Sequence, residues 1–473
     1  MAYNSKIIGR HYEQDVLGEC VASDKAEFVA VYGRRRVGKT YLIKQYFQEG
    51  FDFYASGIYN ISNRDQLESF RTQLEYYSGQ TVKKLRNWFD AFNALRQYLS
   101  PRMQQGKVIV FIDELPWMDA HKSNFIRALE AFWNMWGADQ PNLKLIVCGS
   151  ATTWMTNKLL GDKGGLHNRV TRRINLHPFT LAETGAYLNS QQIEWSRLEI
   201  LDCYMVMGGT PFYLSMLRRS ESLQQNIDRL FFGEDAELRD EYDFLFRSLF
   251  KDAVGYKRII ETIAGKVKGL TRKELTEQLK IESNGRLTEI LDNLCKCDFL
   301  RSYSSFGKKD REVLYQLSDL YCLFYLRFVK DYRGRNPHAW TEMSAGKRNA
   351  WNGYAFEQVC LAHLDKIRQA LGIAGVASDA STWQYQGLSG AGQIDLVIDR
   401  ADRTVDLCEM KYSDHPYEIT KDYAEYLVER RELFRQVTKT TKTLRLTFVT
   451  PFGIKPGLHA SAANSVVTLD ELF

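Results

Sequence analysis

Residues 28–40 read Phe28-Val29-Ala30-Val31-Tyr32-Gly33-Arg34-Arg35-Arg36-Val37-Gly38-Lys39-Thr40, followed by Tyr41-Leu42-Ile43-Lys44-Gln45-Tyr46-Phe47. An apolar run of strand length gives way to a glycine-bounded basic loop and then to helix-compatible spacing. The pattern GxxxxGK[ST] between a strand and a helix is a phosphate-binding loop. Gly33 and Gly38 let backbone N–H groups turn inward, and the helix N-terminus adds its positive dipole end. Gly33, Arg34, Arg35, Arg36, Val37, Gly38, Lys39, Thr40 and Tyr41 are therefore the expected nucleotide contacts. Lys39 is expected to reach the β- and γ-phosphates and Thr40 to ligate Mg²⁺, so ATP and Mg²⁺ are the expected cofactors.

Such a loop calls for a second strand ending in an acid. Val108-Ile109-Val110-Phe111-Ile112 is a continuous apolar run, as a parallel sheet buried on both faces requires, and it ends in Asp113-Glu114. Asp113 is suited to hold Mg²⁺, and Glu114 is placed to polarise an attacking water, which points to hydrolysis. A further run, Leu145-Ile146-Val147-Cys148, ends in Gly149-Ser150, and a polar Ser150 at that strand tip can sense the γ-phosphate. The stretches 51–57 and 173–176 supply two more strands. Five strands alternating with helical segments predict a doubly wound parallel α/β sheet with its ligand at the strands' carboxyl ends.

The chain has 473 residues, room for about three domains at roughly 150 residues each. Its 44% hydrophobic and 26% charged residues, with 9 prolines, argue for packed domains rather than long disordered linkers. No apolar run approaches the ~20 residues of a membrane span. The longest, Tyr321 to Val329, is interrupted by Arg327, and Met1 to Leu17 lacks the apolar core of a signal peptide. The 8 cysteines form no CxxC pair, and Cys295 and Cys297 have no nearby partners for zinc. A reduced, cytoplasmic chain is expected. The net charge of +5 neither demands nor excludes a nucleic-acid partner.

Ile8-Gly9-Arg10, Tyr32 to Leu42, Asp113-Glu114-Leu115-Pro116-Trp117, Phe132-Trp133-Asn134, Cys148-Gly149-Ser150 and Gly208-Gly209-Thr210-Pro211-Phe212-Tyr213-Leu214 occur in that order. Together they resemble the archaeal-type P-loop ATPase family, near the AAA and signal-transducing ATPases, over roughly residues 1 to 250. The resemblance implies a helical lid whose Gly209, Thr210 and Pro211 approach the nucleotide. It also implies an arginine finger at Arg169, within Leu166-His167-Asn168-Arg169, acting in cis or in trans. Ser150 departs from the Asn that many AAA proteins carry at that strand tip.

Residues 256 to 317 read as a winged helix. Tyr256 to Ile263 is a short amphipathic helix, Thr271-Arg272-Lys273-Glu274 is a capping box, and Leu287, Ile290, Leu291 and Leu294 mark a third helix. Phe299 to Tyr303 and Glu312 to Leu317 are the expected wing strands, with Gly307-Lys308-Lys309-Asp310 at the tip. From Lys257 to Arg311 there are 13 basic and 8 acidic residues, which suits DNA contact through Lys308, Lys309 and the third helix. Glu289 and Asp292 on that helix oppose it.

Ile394-Asp395-Leu396-Val397-Ile398 and Val405-Asp406-Leu407-Cys408-Glu409-Met410-Lys411 read as two strands joined by Asp399 to Arg403. A turn centred on position 402 sets Asp395 opposite Glu409, and Lys411 shares the face of Glu409. Two carboxylates suit Mg²⁺, and a lysine beside them can steady phosphate charge. This Asp…Glu-x-Lys pattern resembles the PD-(D/E)XK nuclease superfamily, which implies a restriction-endonuclease-like domain with Glu357, on a preceding helix, completing the catalytic set. Ile394 replaces the signature Pro. His415 and Tyr412 are assigned no role.

The expected organisation is an ATPase core over 1–190, a helical lid over 191–250, a winged helix over 251–335 and a nuclease-like domain over 336–473. Two functions fit it. In one, ATP hydrolysis drives a DNA-directed, metal-dependent nuclease; in the other, the chain is a nucleotide-dependent switch or scaffold whose last domain binds without cleaving. A homo-oligomer or protein partner is compatible with both.

Overall fold

The computed structural model describes residues 3–161, 166, 168–308, 313–334, 336–387 and 390–473. His167, Lys309, Asp310 and Glu312 lie outside the described residues. Contacts divide the chain into two units. The first comprises 1–177 with 248–251, and the second 178–247 with 252–473.

The first unit is built on β1 (Glu27–Tyr32), β2 (Phe53–Ser56), β3 (Val108–Asp113), β4 (Leu143–Gly149) and β5 (Arg172–Asn175). They form one sheet in the order β2-β3-β4-β1-β5, and every pairing is parallel. The period-2 geometry of a strand sorts the apolar runs onto two faces. Phe28, Ala30, Val110, Ile112, Leu145 and Val147 pack on one side. Val29, Val31, Phe111, Ile146 and Cys148 pack on the other. Helices α1 (His11–Ala22) and α2 (Lys39–Tyr46) cover the second face through Leu17, Leu42 and Ile43. Helices α3 (Asn63–Ser78), α4 (Trp88–Leu99) and α5 (Phe125–Met135) cover the first, where Trp88 meets Phe125 edge-on at 4.8 Å.

In the second unit, α6 (Leu181–Ser190) and α7 (Arg197–Met207) each open on a reciprocal capping box and pack together. Gly208 and Gly209 follow at φ 63° and 65°. A Cβ on Gly209 would meet the Phe179 carbonyl oxygen at 2.2 Å and the Tyr204 ring at 2.6 Å, so only glycine fits. Gly209→Ala is expected to cost about 2–4 kcal/mol, from the left-handed backbone and the clash together. Denaturant unfolding monitored in the second unit checks this, and an unchanged midpoint would refute it.

Helices α8 (Ala253–Ala264), α9 (Arg272–Leu279) and α10 (Gly285–Lys296) follow. They pack with an antiparallel sheet of β6 (Leu270–Thr271), β7 (Leu300–Ser304) and β8 (Val313–Leu317), in the order β6-β8-β7. Thr271 and Glu274 form the expected capping box, and Leu287, Ile290, Leu291 and Leu294 are buried. Glu289 and Asp292 are exposed on α10.

The last part carries α11 (Ala345–Ala362) and a mixed sheet of β9 (Ser378–Gly387), β10 (Gly390–Arg400), β11 (Thr404–Met410), β12 (Thr443–Val449) and β13 (Ser465–Val467). β9, β10 and β11 pair antiparallel, and β11, β12 and β13 parallel. Helix α12 (Lys421–Thr438) lays Leu427 and Phe434 on the sheet's Trp383, Ile394 and Val397. The end of β7 is joined to this sheet: Ser305 bridges Thr382, Phe306 N–H donates to the Thr382 carbonyl at 2.7 Å, and the Phe306 ring meets Phe434 at 4.9 Å. Among the described residues no helix is long and apolar enough to cross a membrane.

Candidate functional site

The phosphate loop leaves β1 at Gly33, whose φ of 146° and close approach to the Leu176 carbonyl, 2.2 Å from a notional Cβ, exclude any side chain. Gly38 sits at φ 91° as the N-cap of α2 and offers no side chain to occupy the first-turn N–H groups. A helix N-terminus of this kind attracts an anion. Lys39 is buried, and its Nζ donates to the carbonyls of Gly33 (2.9 Å) and Arg34 (2.8 Å). Arg34 and Val37 are buried, Arg35 and Arg36 half-buried, and Tyr41 exposed with its hydroxyl on the Lys6 carbonyl at 3.1 Å.

Thr40 Oγ1 donates to Asp113 Oδ2 at 2.7 Å, which brings the first turn of α2 to the tip of β3. A hydroxyl and a carboxylate at that spacing are hard oxygen donors of the kind Mg²⁺ takes, so the residues fit the ion. Glu114 is held at φ 46°, and Ser150 grips its Oε2 with both its hydroxyl (2.7 Å) and its backbone N–H (3.2 Å). Burial pushes the Glu114 carboxyl above its ordinary value, while Lys39 and the Ser150 hydroxyl pull it back. Ser150, expected at the γ-phosphate, is thus also the residue that orients Glu114. Arg10 donates to the His177 carbonyl at 2.8 Å and to that of Val37 at 3.4 Å, tying α1 to the phosphate loop. The Ile8-Gly9-Arg10 motif marked the position without revealing this contact.

Arg169 is not brought to this site within the first unit. It is exposed and lines a surface pocket with Asp24, Lys25 and Pro141, which precede the amino ends of β1 and β4. Lys39 and Glu114 stand at the carboxyl ends. Gly209, Thr210 and Pro211 belong to the second unit, where Thr210 is buried and Pro211 opens a short helix.

In the second unit β10 and β11 pair from Leu396↔Cys408 to Asp399↔Val405, and Asp395 and Glu409 stand one residue beyond the last pair. A bulge in β10 between Ile394 and Val397 redirects the strand at Asp395. Glu409 is buried, 2.6 Å from Arg430 Nη2 and 3.4 Å from Lys411 Nζ, and accepts the Tyr423 hydroxyl at 2.6 Å. Gln393 Nε2 donates to Asp395 Oδ1 at 2.8 Å, and Arg430 holds the Gln393 carbonyl at 3.0 Å.

Glu357, from α11, is pushed up to about 8 by burial and by the charge of Asp395, against the pull of Lys411 and Lys268. Burial and Glu409 likewise raise Asp395. Burial alone would lower Lys411, but Glu409 and Asp395 more than offset it. The four expected residues therefore share one electrostatic cluster. Among the described residues, however, no three His, Cys, Asp or Glu side chains form a preformed metal cage. Tyr423, Arg430, Gln393 and Lys268 were not expected here. Tyr423 and Arg430 lie two helical turns apart on the buried stripe of α12 with Leu427 and Phe434, and polar residues in an apolar stripe were the available signal.

A parallel sheet with a glycine-bounded loop, a buried lysine and the paired Thr40–Asp113 defines a P-loop nucleoside triphosphatase. Residues 8–217 match the family described as an ATPase domain predominantly from Archaea, and the chain carries an ATPase domain of that kind. An uncharacterized protein of Methanocaldococcus jannaschii is 24% identical over 414 residues, 86% of this chain and 88% of its own, so that likeness runs well beyond the ATPase segment. Among solved structures, a Walker-type ATPase of Pyrococcus abyssi superposes with a TM-score of 0.46 at 16% identity, covering 68% of this chain and 96% of that one. The ORC1 protein of Aeropyrum pernix in complex with DNA gives 0.34 at 14% identity, over 67% and 92%.

Proposed function

We propose that the chain hydrolyses ATP with Mg²⁺ in its first unit and uses the nucleotide state to control a DNA-directed, metal-dependent nuclease centre in its second. In the first unit, Lys39 steadies the β- and γ-phosphates, Thr40 and Asp113 hold the metal, and Glu114, oriented by Ser150, takes the proton of the attacking water. Mg²⁺ supplies charge neutralisation at the phosphates. The position of Arg169 at the far end of the sheet favours a role in trans, on the nucleotide of a second copy. Gly209, Thr210 and Pro211 are the lid's candidate nucleotide contacts.

The observation that carries the nuclease reading is the convergence of Glu357, Asp395, Glu409 and Lys411 from α11, β10 and β11. Carboxylate oxygens there suit Mg²⁺ or Mn²⁺, which would polarise a phosphodiester, and Lys411 would steady the charge that develops. The module of α8, α9, α10 and the β6-β8-β7 sheet serves as a winged helix. The exposed Glu289 and Asp292 repel phosphates from α10, so DNA contact falls to basic residues of the wing such as Lys308.

Cleavage of plasmid and linear DNA with Mg²⁺ or Mn²⁺ and ATP tests this reading. Lys411→Ala should abolish cleavage and leave ATP hydrolysis unchanged. A second reading, a switch whose last domain binds without cleaving, draws support from Glu409, whose carboxylate is already taken up by Arg430, Lys411 and Tyr423. Wild-type protein that hydrolyses ATP but cuts no DNA would decide for it.

A further inference from the structure

Helix α7 is buried from Ile200 to Met207 except at Asp202, its one acid in that stretch. A carboxylate in the middle of an apolar helix is costly unless its oxygens are engaged. One of them is, since Tyr412 donates its hydroxyl to Asp202 Oδ1 at 2.8 Å. Burial and the negative charges of Glu199 and Asp414 push the Asp202 carboxyl up to about 7, against the pull of that hydroxyl. Asp202 forms no ion pair among the described residues. It lines a cavity of about 230 Å³, and its Oδ2 is the oxygen left for an occupant.

The same cavity is lined by a cation. Arg348 stands half-buried in the first turn of α11, likewise without an ion pair among the described residues. A positive side chain in a helix's first turn works against the helix dipole, and an anion beside it removes the conflict. Ser344 leaves the N-cap of α11 without a side-chain hydrogen bond, and Ala345 of that turn lines the cavity too. Leu223, Ile227 and Trp340 add apolar wall, and all three are buried. Trp340 is fixed before anything binds: its N–H donates to Asp228 Oδ1 at 2.7 Å, and its ring meets Phe324 at 5.0 Å. The space is smaller than a drug-sized site, so it suits a small metabolite.

We propose that this cavity binds a small zwitterion, a free α-amino acid with an apolar side chain. Its ammonium would meet Asp202, its carboxylate Arg348, and its side chain Leu223, Ile227 and Trp340. Two fixed charges of opposite sign in one small space select such a ligand over a simple amine or a simple acid, because either half alone leaves one charge without a partner. Tyr412 follows Lys411 in the chain, and α11 carries both Arg348 and Glu357, so the cavity borders the nuclease-like centre. The proposal stands independently of the nuclease reading, since none of the residues that hold the ligand belongs to that cluster.

Titration calorimetry on the full chain without nucleotide tests it. The ligands are leucine, valine and phenylalanine, with isoamylamine and isocaproate as leucine analogues that lack the carboxylate and the ammonium respectively. Leucine should bind saturably, and each analogue at least about tenfold more weakly, the loss expected for one charge-assisted contact. Asp202→Asn and Arg348→Gln should each weaken leucine by a similar factor. Asparagine keeps an oxygen for the Tyr412 hydroxyl, and Arg348 has no ion pair to lose among the described residues, so neither change strips the fold of a contact. An analogue that binds as tightly as leucine, a leucine affinity unchanged in both variants, or no binding of any of the three amino acids overturns the proposal. The analogue series uses only wild-type protein, so misfolding of a variant does not blunt it.

Discussion

Lys39→Ala is expected to lower ATP turnover by roughly 10²–10³-fold, the loss typical when one preorganised donor to developing charge is removed. It should also weaken nucleotide binding about 10–100-fold, since charge-assisted hydrogen bonds contribute about 1.5–3 kcal/mol. The size of both effects follows from where the side chain is held. Lys39 is 5% exposed, and its Nζ already bridges the carbonyls of Gly33 and Arg34. The ammonium therefore stands at the loop's centre before any phosphate arrives, and little ordering is needed on binding. Phosphate release and titration with a fluorescent nucleotide analogue check the two predictions, with circular dichroism to confirm folding. Full activity in the variant would sink the phosphate-loop assignment. Lys39→Arg should not rescue, because a planar fork cannot replace a compact charge in a loop closed this tightly.

The parallel sheet was legible because its strands are continuous apolar runs, and burial on both faces leaves no other use for them. Edges were less so. β4 begins at Leu143 rather than Leu145, since Lys144 joins it with its stem buried and its Nζ on the carbonyls of Ser23 (2.9 Å) and Pro141 (3.1 Å). A charged residue looks like a strand end until the oxygens that receive it are known. The β10–β11 register was legible for a different reason: a short polar turn fixes the pairing arithmetic. Arg169 stands just before the strand at Arg172–Asn175, so its place at the amino end of a parallel sheet was legible in the spacing, and only the family resemblance pointed to the nucleotide end. The polar positions in the apolar stripe of α12 mark Arg430 and Tyr423 as unusual but do not say that they meet Glu409, and nothing in the spacing marks Lys268. Those residues arrive from a helix after the hairpin and from a sheet more than a hundred residues before it, and long-range packing alone unites them.

Glu114→Gln should reduce hydrolysis by roughly 10²–10⁴-fold, the range of a positioned general base, while nucleotide binding stays close to wild type. Glutamine keeps the volume of the side chain, and its carbonyl oxygen can still accept the Ser150 hydroxyl that now holds Glu114 at 2.7 Å. What is lost is the ability to take a proton. Single-turnover hydrolysis beside equilibrium binding separates the two, and turnover within about threefold of wild type would place the base elsewhere. The pH profile adds a sign. Glu114 must be ionised to act, and burial raises its pKa above the ordinary carboxylate value. The rate should therefore fall on acidification at a higher pH than an exposed glutamate would give. Ser150→Ala removes a hydrogen bond that favours the charged form, so it should move that acid limb to still higher pH. A Ser150→Ala limb that coincides with wild type would mean that Ser150 serves the γ-phosphate alone and does not tune the base.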